Sequence, residues 1–480
     1  MGQGRSLGLM VFVEGITLLN SLAIGWIITS HMGESFVLFR LFGSLTVQFR
    51  LDKMGSVFAG LIGFLWPLAT LYALEYMKDD NRIVSFFSFY LMTYGITSGI
   101  AFSGNLVTLY LFYEILTLVT FPLVLHPMTK EARRASRTYL YYSISGAAFA
   151  FIGLIFLLSY SATGTTEFIP GGVLNLDGAR GKKAVLLLAY VLAFYGFGVK
   201  AALFPVHGWL PQAAVAPTPV TALLHAVAVV KSGAFAILRL TYFSYGTEIL
   251  RGTWAQWLAL AAALVTIVFG STMAVREIHW KRRLAYSTIS NLSYILFGAA
   301  LMTPFGLAAS LSHLVVHAFM KICSFFCAGA VMHQTGKTWV YELDGMGKRM
   351  PVTFGCLTIA SLSLMGIPLF AGFISKWNLA QAALEYSWMA AECGGAGWGQ
   401  FLSIAGIFVI LYSALMTGIY MVSVLVRAYF PKQEQKDTGR QDPNWMMMLP
   451  LLVFAAVIAA IGLHSAPLMA LLTQIGGEAG

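Results

Sequence analysis

The sequence predicts an all-α protein that crosses a membrane many times. Of its 480 residues, 58% are hydrophobic and only 10% are charged, and the mean hydropathy is +0.76. A soluble domain carries about 25% charged residues, so this composition excludes an ordinary soluble protein. A helix that spans a bilayer needs about 20 apolar residues, and stretches of that length fill nearly the whole chain.

Thirteen apolar stretches are candidate spans, and they make residues 1–480 a single membrane domain. The first is too long, and too poor in small-residue cleavage signals, for a removed signal peptide, so we expect a retained helix. The stretch at 352–384 exceeds one plain span, and 446–472 is the expected C-terminal transmembrane helix. The stretches are roughly 7–29, 54–77, 84–103, 106–125, 138–160, 184–206, 218–240, 254–274, 284–302, 306–332, 352–384, 402–426 and 446–472.

The distribution of Lys and Arg predicts the orientation. With the N-terminus inside, the cytoplasmic loops carry eighteen Lys and Arg and the opposite loops carry seven, in agreement with the positive-inside rule. We therefore expect a prokaryotic cytoplasmic membrane, with the N-terminus inside and the C-terminus outside. The formal net charge of +10 then reflects topology, and no nucleic-acid partner is expected.

The four cysteines lie in or beside apolar segments. We interpret them as buried small hydrophobic residues, and not as a disulfide or a metal cluster. They are Cys323, Cys327, Cys356 and Cys393.

Five of the thirty Lys and Arg residues fall inside the predicted helices. A lysine at the bilayer centre costs about 2.5–3.5 kcal/mol on insertion scales, so it persists where it faces a bundle interior, an acid or a wet cavity. Arg239 lies at a helix end, from which it can snorkel to the interface. The other four need another explanation: Lys200, Lys231, Lys321 and Lys376.

Glu114 is the acid placed most centrally in a span, within VTLYLFYEILTLVTFPLVL, and it is the natural partner of Lys200. Burial favours the neutral forms of lysine and glutamate, whereas proximity of the two favours their charged forms. A lysine whose carboxylate moves away can therefore release its proton. A static ion pair that fixes helix packing is the alternative, although one carboxylate cannot pair with four lysines.

Two segments carry helix-breaking residues beside a lysine. KAALFPVHGWLP has two prolines and a glycine after Lys200, and SLMGIPLFAGFISKWNL has the same residue types before Lys376. Proline removes a helical hydrogen bond, and irregular backbone at membrane depth requires a protein or water partner. Interrupted helices in matching places mark transport sites in inverted repeats. We expect two such repeats, at 84–240 and 254–426.

Histidines lie between these two segments. His225 shares a span with Lys231, and His313, His317 and Lys321 are spaced i, i+4, i+8 on one helix face. Histidine titrates near neutral pH and relays protons readily. The alternatives are core histidines bonded to hydroxyls, a metal site, or bis-histidine haem ligation. Neither the metal nor the haem hypothesis explains the buried glutamate and lysines.

Over roughly residues 50–430 the chain resembles the antiporter-like proton-channel subunits of respiratory complex I, membrane-bound hydrogenases and Mrp-type cation/proton antiporters. Four motifs carry the resemblance: LYLFYEILTLVTFPLVL, VKAALFPVHGWLPQAAVAPTPVTALLHAVAVVKSG, HAFMK and GIPLFAGFISKW. It implies a fourteen-helix core with two inverted five-helix repeats, each with a broken helix. This chain is similar to that core without its first helix, which agrees with thirteen spans, and without a long lateral helix.

The resemblance also implies roles for the buried groups. Glu114 would pair with Lys200, and Lys231 would connect to a relay of His317, His313 and Lys321. Lys376 would be the exit residue, and His225 falls within the long motif. Together these eight residues are the expected proton pathway.

The expected function is a proton-translocating, antiporter-like membrane subunit of a multisubunit energy-converting complex. Its expected partners are other membrane subunits, including sister antiporter-like subunits, together with the lipid bilayer and protons, with sodium left open. The chain has no iron–sulfur cysteine pattern and no GxGxxG motif opening a Rossmann unit, so we expect no cofactor in this chain. A cation/proton antiporter subunit without redox coupling and a non-conducting scaffold are the alternatives.

Overall fold

The computed structural model describes residues 3–43, 45–162, 164, 166–175, 181–392, 397–431 and 439–479. These residues are mostly helical, which confirms the predicted class. The exception is an antiparallel hairpin of β1 (Ser35–Phe42) and β2 (Leu45–Arg50), which pairs Ser35 with Arg50. The hairpin lies between the first two predicted spans, and its aromatic and β-branched residues are typical of strands.

The N-terminal helices run as far as the first pair of broken segments. They are α1 (Gln3–Ser30), α2 (Lys53–Tyr76), α3 (Ile83–Ala101), α4 (Leu106–Leu125), α5 (Lys130–Tyr160), α6 (Lys183–Lys200), α7 (Trp209–Ala213), α8 (Thr218–Ala226) and α9 (Val229–Arg239).

A π-helical segment, Leu240–Tyr245, extends α9 and leads into the second half of the chain. The helices there are α10 (Thr247–Leu250), α11 (Trp254–Arg276), α12 (Trp280–Ala300), α13 (Pro304–Thr335), α14 (Met346–Arg349), α15 (Pro351–Met365), α16 (Ala371–Glu392), α17 (Trp398–Tyr429), α18 (Trp445–Leu463) and α19 (Ala466–Ala479), with a 3-10 turn at Val340–Glu342.

Eleven helices in the described part of the chain are long and apolar enough to cross a membrane. They coincide with the predicted stretches except at 284–302 and 352–384. The first of these lies in α12, whose serines, asparagine and basic N-terminus lower its hydropathy, and the second is divided between α15 and α16. The number of thirteen spans therefore stays a prediction, as do the repeat boundaries 84–240 and 254–426.

The core consists of two segments that are entirely surrounded by other helices. In the most apolar 18 residues of Thr218–Tyr245 and of Pro304–Thr335, every residue is buried. In the corresponding part of α1, only 17% of the residues are buried. Helix α13 packs against α8, α12, α15, α16, α18 and α19. Polar side chains on these two segments therefore face protein and not lipid.

Both predicted helix breaks are confirmed. Helix α6 ends at Lys200, and α7 is anchored beneath it by the Trp209 indole, which donates to the Val199 carbonyl at 2.8 Å. Helix α15 ends at Met365, where Gly366 has a φ of 87°, and α16 begins at Ala371. The cause is proline and glycine, as expected.

Two further breaks were not predicted. Helices α8 and α9 are interrupted at Val227 and Ala228, whose N–H groups both bond to the Leu223 carbonyl, with no proline or glycine to signal it. The C-terminal stretch 446–472 is not one helix, because α18 ends at Leu463 and α19 begins at Ala466. Pro467, in the first turn of α19, has no N–H to donate to the Leu463 carbonyl four residues earlier, so α18 cannot continue through it.

The cysteine interpretation is confirmed where the structure describes it. Cys323, Cys327 and Cys356 are buried and free. Cys393 lies outside the described residues.

Candidate functional site

Lys200 is fully buried at the C-terminal end of α6 and faces α4. Its ammonium group donates to the Tyr113 carbonyl and lies 3.4 Å from the centroid of the Tyr113 ring. A carbonyl dipole and a π face both stabilise a cation, and the end of α6 adds the negative pole of its own helix dipole. Lys200 is therefore held without a carboxylate in contact.

Glu114 does not form the expected direct ion pair with Lys200. Within the described chain, no nitrogen–oxygen contact of 4.0 Å or less joins the two side chains, although their charges interact electrostatically. Glu114 is half-buried, and its Oε1 is shielded from solvent without a hydrogen-bond partner among the described residues. The reason is local, since the preceding residue, Tyr113, supplies the contacts that Lys200 makes.

Lys231 and His317 form a direct contact between α9 and α13. The Lys231 Nζ is hydrogen-bonded to the His317 Nδ1, and both side chains are fully buried. Either the ammonium group donates to a neutral imidazole, or the imidazole N–H donates to a neutral amine. A hydrogen bond between two ionisable nitrogens is the geometry that a proton transfer requires.

His313 continues this contact along α13. The His313 and His317 ring centroids are 5.7 Å apart and their planes differ by 24°, as the i, i+4 spacing predicts. The His313 Nδ1 bonds the Ser375 Oγ at 2.9 Å, which reaches α16. The Nε2 atoms of both histidines are buried without a partner among the described residues.

Lys376 follows Ser375 in α16 and binds to the end of α15, at the interruption between the two helices. Its ammonium group donates to the carbonyls of Leu364 at 2.7 Å and Met365 at 3.1 Å. These are the last carbonyls of α15, which have no partner within their own helix. The helix break thus creates the cation site, and the Tyr294 ring centroid lies 5.6 Å from the ammonium nitrogen.

Lys321 and His225 lie off this line. Lys321 donates to the Ser287 Oγ at 2.6 Å and the Leu284 carbonyl at 3.2 Å, both on α12. His225 lies in the last turn of α8, with its ring centroid 4.9 Å from that of Phe325, and neither ring nitrogen has a hydrogen-bond partner in the described chain. Both residues are fully buried, but hydrogen bonds do not join them to the others.

The eight predicted residues therefore form two contact groups and two flanking members. One group is Lys200 with α4; the other runs from Lys231 through His317 and His313 to the Ser375–Lys376 corner. Helix α9 passes close to the end of α6, because a Cβ on Gly233 would lie 2.9 Å from the Lys200 carbonyl carbon. No hydrogen bond between described side chains connects Lys200 to Lys231.

The chain matches the models of two known protein families. Residues 103–397 match the family described as NADH:quinone oxidoreductase/Mrp antiporter, TM. Residues 42–87 match the family described as NADH-Ubiquinone oxidoreductase (complex I), chain 5 N-terminus. The chain belongs to the NADH:quinone oxidoreductase/Mrp antiporter family. It is a multi-pass, antiporter-like membrane subunit, and the resemblance seen in the sequence is confirmed.

Three curated members of this family are 30–34% identical to the chain over the aligned residues. It is 30% identical over 442 residues to NADH-quinone oxidoreductase subunit N of Desulforudis audaxviator, covering 87% of this chain and 82% of the relative. It is 34% identical over 395 residues to a Na(+)/H(+) antiporter subunit of Alkalihalophilus pseudofirmus (78% and 48%). It is 31% identical over 420 residues to a probable K(+)/H(+) antiporter subunit of Rhizobium meliloti (87% and 40%). The chain spans less than half of both antiporter proteins.

Two solved structures share the fold of the family over nearly the whole chain. A chain of the membrane-bound sulfane sulfur reductase, an archaeal respiratory membrane complex, aligns with a TM-score of 0.83 and 26% identity, covering 98% of this chain and 92% of that one. A chain of the Mrp complex from Dietzia sp. DQ12-45-1b aligns with a TM-score of 0.79 at 21% identity, covering 99% and 92%. Both relatives are parts of multisubunit assemblies.

The structure corrects the expectation for Arg239. This family member buries the guanidinium completely, in a bidentate ion pair with Asp52 at the N-cap of α2. The rings of Phe168, Phe235 and Phe243 surround it at 4.7–5.0 Å. The residue does not snorkel, because the π-helical segment that follows α9 is itself buried.

Several contributors to the site were missed in the sequence. Tyr113 and Ser375 immediately precede Glu114 and Lys376, so adjacency was an available signal. Lys281 was assigned to a loop, but it is buried at the start of α12 and donates to the Ala216 carbonyl at 2.8 Å. No sequence pattern indicates that long-range contact.

A metal centre has no visible basis in the described ranges. They contain no group of three or more His, Cys, Asp or Glu side chains that could hold a metal ion. The expected lack of a cofactor in this chain stays a prediction.

Proposed function

We propose that the chain is a proton-translocating, antiporter-like subunit of a multisubunit energy-converting complex, either complex I-like or membrane-bound hydrogenase-like. The observation that carries the proposal is the hydrogen bond between the Lys231 Nζ and the His317 Nδ1, inside a core of buried helices. A pair of apolar side chains of similar volume would pack here without the desolvation free energy of a buried lysine. Packing alone therefore does not explain the lysine–imidazole pair.

The proposed path runs across the middle of the bundle. A proton on Lys200 would pass to Lys231, then through His317 and His313 to Lys376. Buried polar atoms in native proteins have protein or water partners, so the unpartnered histidine nitrogens favour a hydrated interior. Water would also bridge the interval between Lys200 and Lys231.

Glu114 would control this path by its charge. It interacts with Lys200 through space and not through a hydrogen bond, so a change in its protonation or position alters the field without breaking a contact. Loss of its negative charge favours release of the proton from Lys200. The driving event, a redox reaction elsewhere in the complex, belongs to partner subunits.

The proposed partners are other membrane subunits, including sister antiporter-like subunits, in a prokaryotic cytoplasmic membrane. The support is the set of relatives, which are named as subunits of a quinone oxidoreductase, of antiporters and of a respiratory membrane complex.

The decisive experiment replaces Lys231 with arginine and with alanine in the assembled complex. Arginine keeps a positive charge but does not release its proton, so Lys231→Arg separates a relay from a static cation. We expect both variants to slow proton uptake by inverted membrane vesicles roughly 100-fold, the contribution of a positioned acid–base group. Uptake is followed with a pH-sensitive fluorescent amine.

The matched control is Lys348→Arg, because Lys348 is exposed and has no part in the proposed path. Subunit content of the purified complex verifies assembly of each variant. Wild-type uptake by Lys231→Arg would refute the relay. Wild-type uptake by both variants would favour the scaffold alternative.

A second candidate is a subunit of a cation/proton antiporter without redox coupling. The relatives named as Na(+)/H(+) and K(+)/H(+) antiporter subunits favour it. In vesicles with an imposed pH gradient and no electron donor, an antiporter dissipates the gradient when NaCl or KCl is added. A redox-coupled subunit moves protons only when the electron donor is present. Identification of the co-purifying chains shows which kind of complex contains this subunit.

A further inference from the structure

The N-terminal end of α5 carries an exposed cluster of cations without ion pairs among the described residues. A depression of about 390 Å³ opens there, and its cationic side chains are all exposed. Glu131 is the one acid in this turn, and it does not line the depression. The lining residues are Lys130, Arg133, Arg134, Arg137, Thr138 and Tyr141.

An apolar groove of about 530 Å³ continues from this cluster between α5 and α6. Tyr141 lines both the depression and the groove and is 67% exposed. The helices meet closely at the floor, since a Cβ on Gly146 would lie 2.7 Å from the Gly196 carbonyl oxygen. The lining includes Val199 and Pro205, on either side of Lys200 and the first helix break, where a Cβ on Gly146 would lie 2.8 Å from the Val199 Cβ.

The cations and the groove lie on one face of α5. Lys130, Arg134, Arg137, Tyr141, Ser145 and Phe149 follow one another at spacings of three or four residues, which is one helical stripe. The apolar part, from Tyr141 to Phe149, rises roughly 12 Å at 1.5 Å per residue. One leaflet of the hydrocarbon core is about 15 Å thick.

We propose that this surface binds an anionic phospholipid, with its phosphodiester in the basic depression and an acyl chain in the groove. Charge complementarity selects the occupant, because the four cations form no ion pair among the described residues, no acid lines the depression, and such a cluster attracts anionic lipids of the cytoplasmic leaflet. The apolar groove directly below distinguishes a lipid from free phosphate. The acyl chain would pass over Val199 and Pro205, beside the first helix break, and end near Phe149 and Val191. This site does not depend on the proposed proton pathway.

The test titrates lipid onto the purified, delipidated complex and counts bound molecules by native mass spectrometry. Wild-type complex should bind phosphatidylglycerol more tightly than phosphatidylcholine, and inorganic phosphate should compete weakly. Each membrane-facing cation contributes on the order of 1 kcal/mol, so Arg134→Ala with Arg137→Ala should weaken phosphatidylglycerol binding roughly 30-fold. Ser145→Trp, which fills the groove, should weaken both lipids.

The matched control is Lys348→Ala with Arg440→Ala, two exposed cations away from this surface, which should leave binding unchanged. Equal affinity for both lipids, an unchanged double variant, or full displacement by inorganic phosphate would each overturn the proposal. A photo-crosslinker in place of Tyr141 that captures a protein partner in native membranes would assign the face to an interface between subunits instead. If the arginine variant fails to assemble, Ser145→Trp decides.

Discussion

Backbone carbonyls, and not carboxylates, hold most of the buried lysines. Lys200, Lys321 and Lys376 each donate to a main-chain oxygen, and Lys231 bonds a histidine. One glutamate could not have neutralised four lysines. Carbonyl dipoles accept a hydrogen bond from either the charged or the neutral amine, so these sites tolerate both protonation states. This property suits a group that gains and loses protons.

The Asp52–Arg239 pair gives a prediction for stability. Asp52→Asn leaves a fully buried guanidinium without its counter-charge, which costs about 3–5 kcal/mol. We expect a lower midpoint of thermal unfolding for the purified protein. Asp344→Asn is the control, because its 3.5 Å pair with Arg427 is partly exposed and worth at most about 1 kcal/mol. Equal effects of the two variants would contradict this prediction.

The same pair makes stability sensitive to acid. Burial alone would raise the pKa of Asp52, but the charge and hydrogen bonds of Arg239, the Gly55 N–H and the charge of Arg50 hold it below its ordinary value of 3.8. A depressed carboxyl pKa stabilises the fold above that ordinary value, and this contribution is lost as the pH falls through the folded-state value. Asp52→Asn should remove this part of the acid sensitivity.

At the level of elements, helix breaks determine where the charges can be. The end of α15 supplies the carbonyls that hold Lys376, and the end of α6 places Lys200 beside α4. Proline and glycine predicted both of these breaks. The interruption between His225 and Lys231 was not predictable, because its local sequence, HAVAVVK, has ordinary helical and apolar residues and only the surrounding packing favours the break.

Gly366 gives a prediction for the second break. Its φ of 87° is unfavourable for alanine, and an added Cβ would lie 3.1 Å from the Lys376 Cδ. Gly366→Ala should therefore displace Lys376, slow proton uptake severalfold and destabilise the protein by about 1 kcal/mol. Gly355→Ala, in open space within α15, the helix that Gly366 follows, should leave uptake unchanged and be neutral or stabilising. Unchanged uptake in Gly366→Ala would disprove the role of this glycine.

At the scale of the whole molecule, the two most enclosed segments carry Lys231 and the histidines His313 and His317. The 218–245 and 304–335 segments are buried by the other helices, whereas α1, α17 and α18 remain largely exposed at the periphery. The peripheral helices thus replace lipid around the charged core. This arrangement lowers the cost of the lysines without neutralising them.

The charge distribution gives a prediction for topology. With the N-terminus inside, position 348 faces the cytoplasm and position 40 faces the opposite side. Single cysteines there, in a chain without its native cysteines, should react with a membrane-impermeant maleimide only in inverted vesicles for Lys348→Cys and only in right-side-out vesicles for Arg40→Cys. Reaction of both from one side would contradict the orientation.

The sequence by itself determined the membrane class, two of the helix breaks and the set of buried ionisable residues. Composition, proline, glycine and a charged residue within an apolar stretch are local signals. The tertiary structure decided which groups touch. Lys231 bonds His317, and Lys200 bonds Tyr113 instead of Glu114. Arg239 is buried in its ion pair with Asp52, and Lys321 donates to α12. These contacts join residues far apart in the chain, so their choice depends on how the helices pack and no short pattern encodes it.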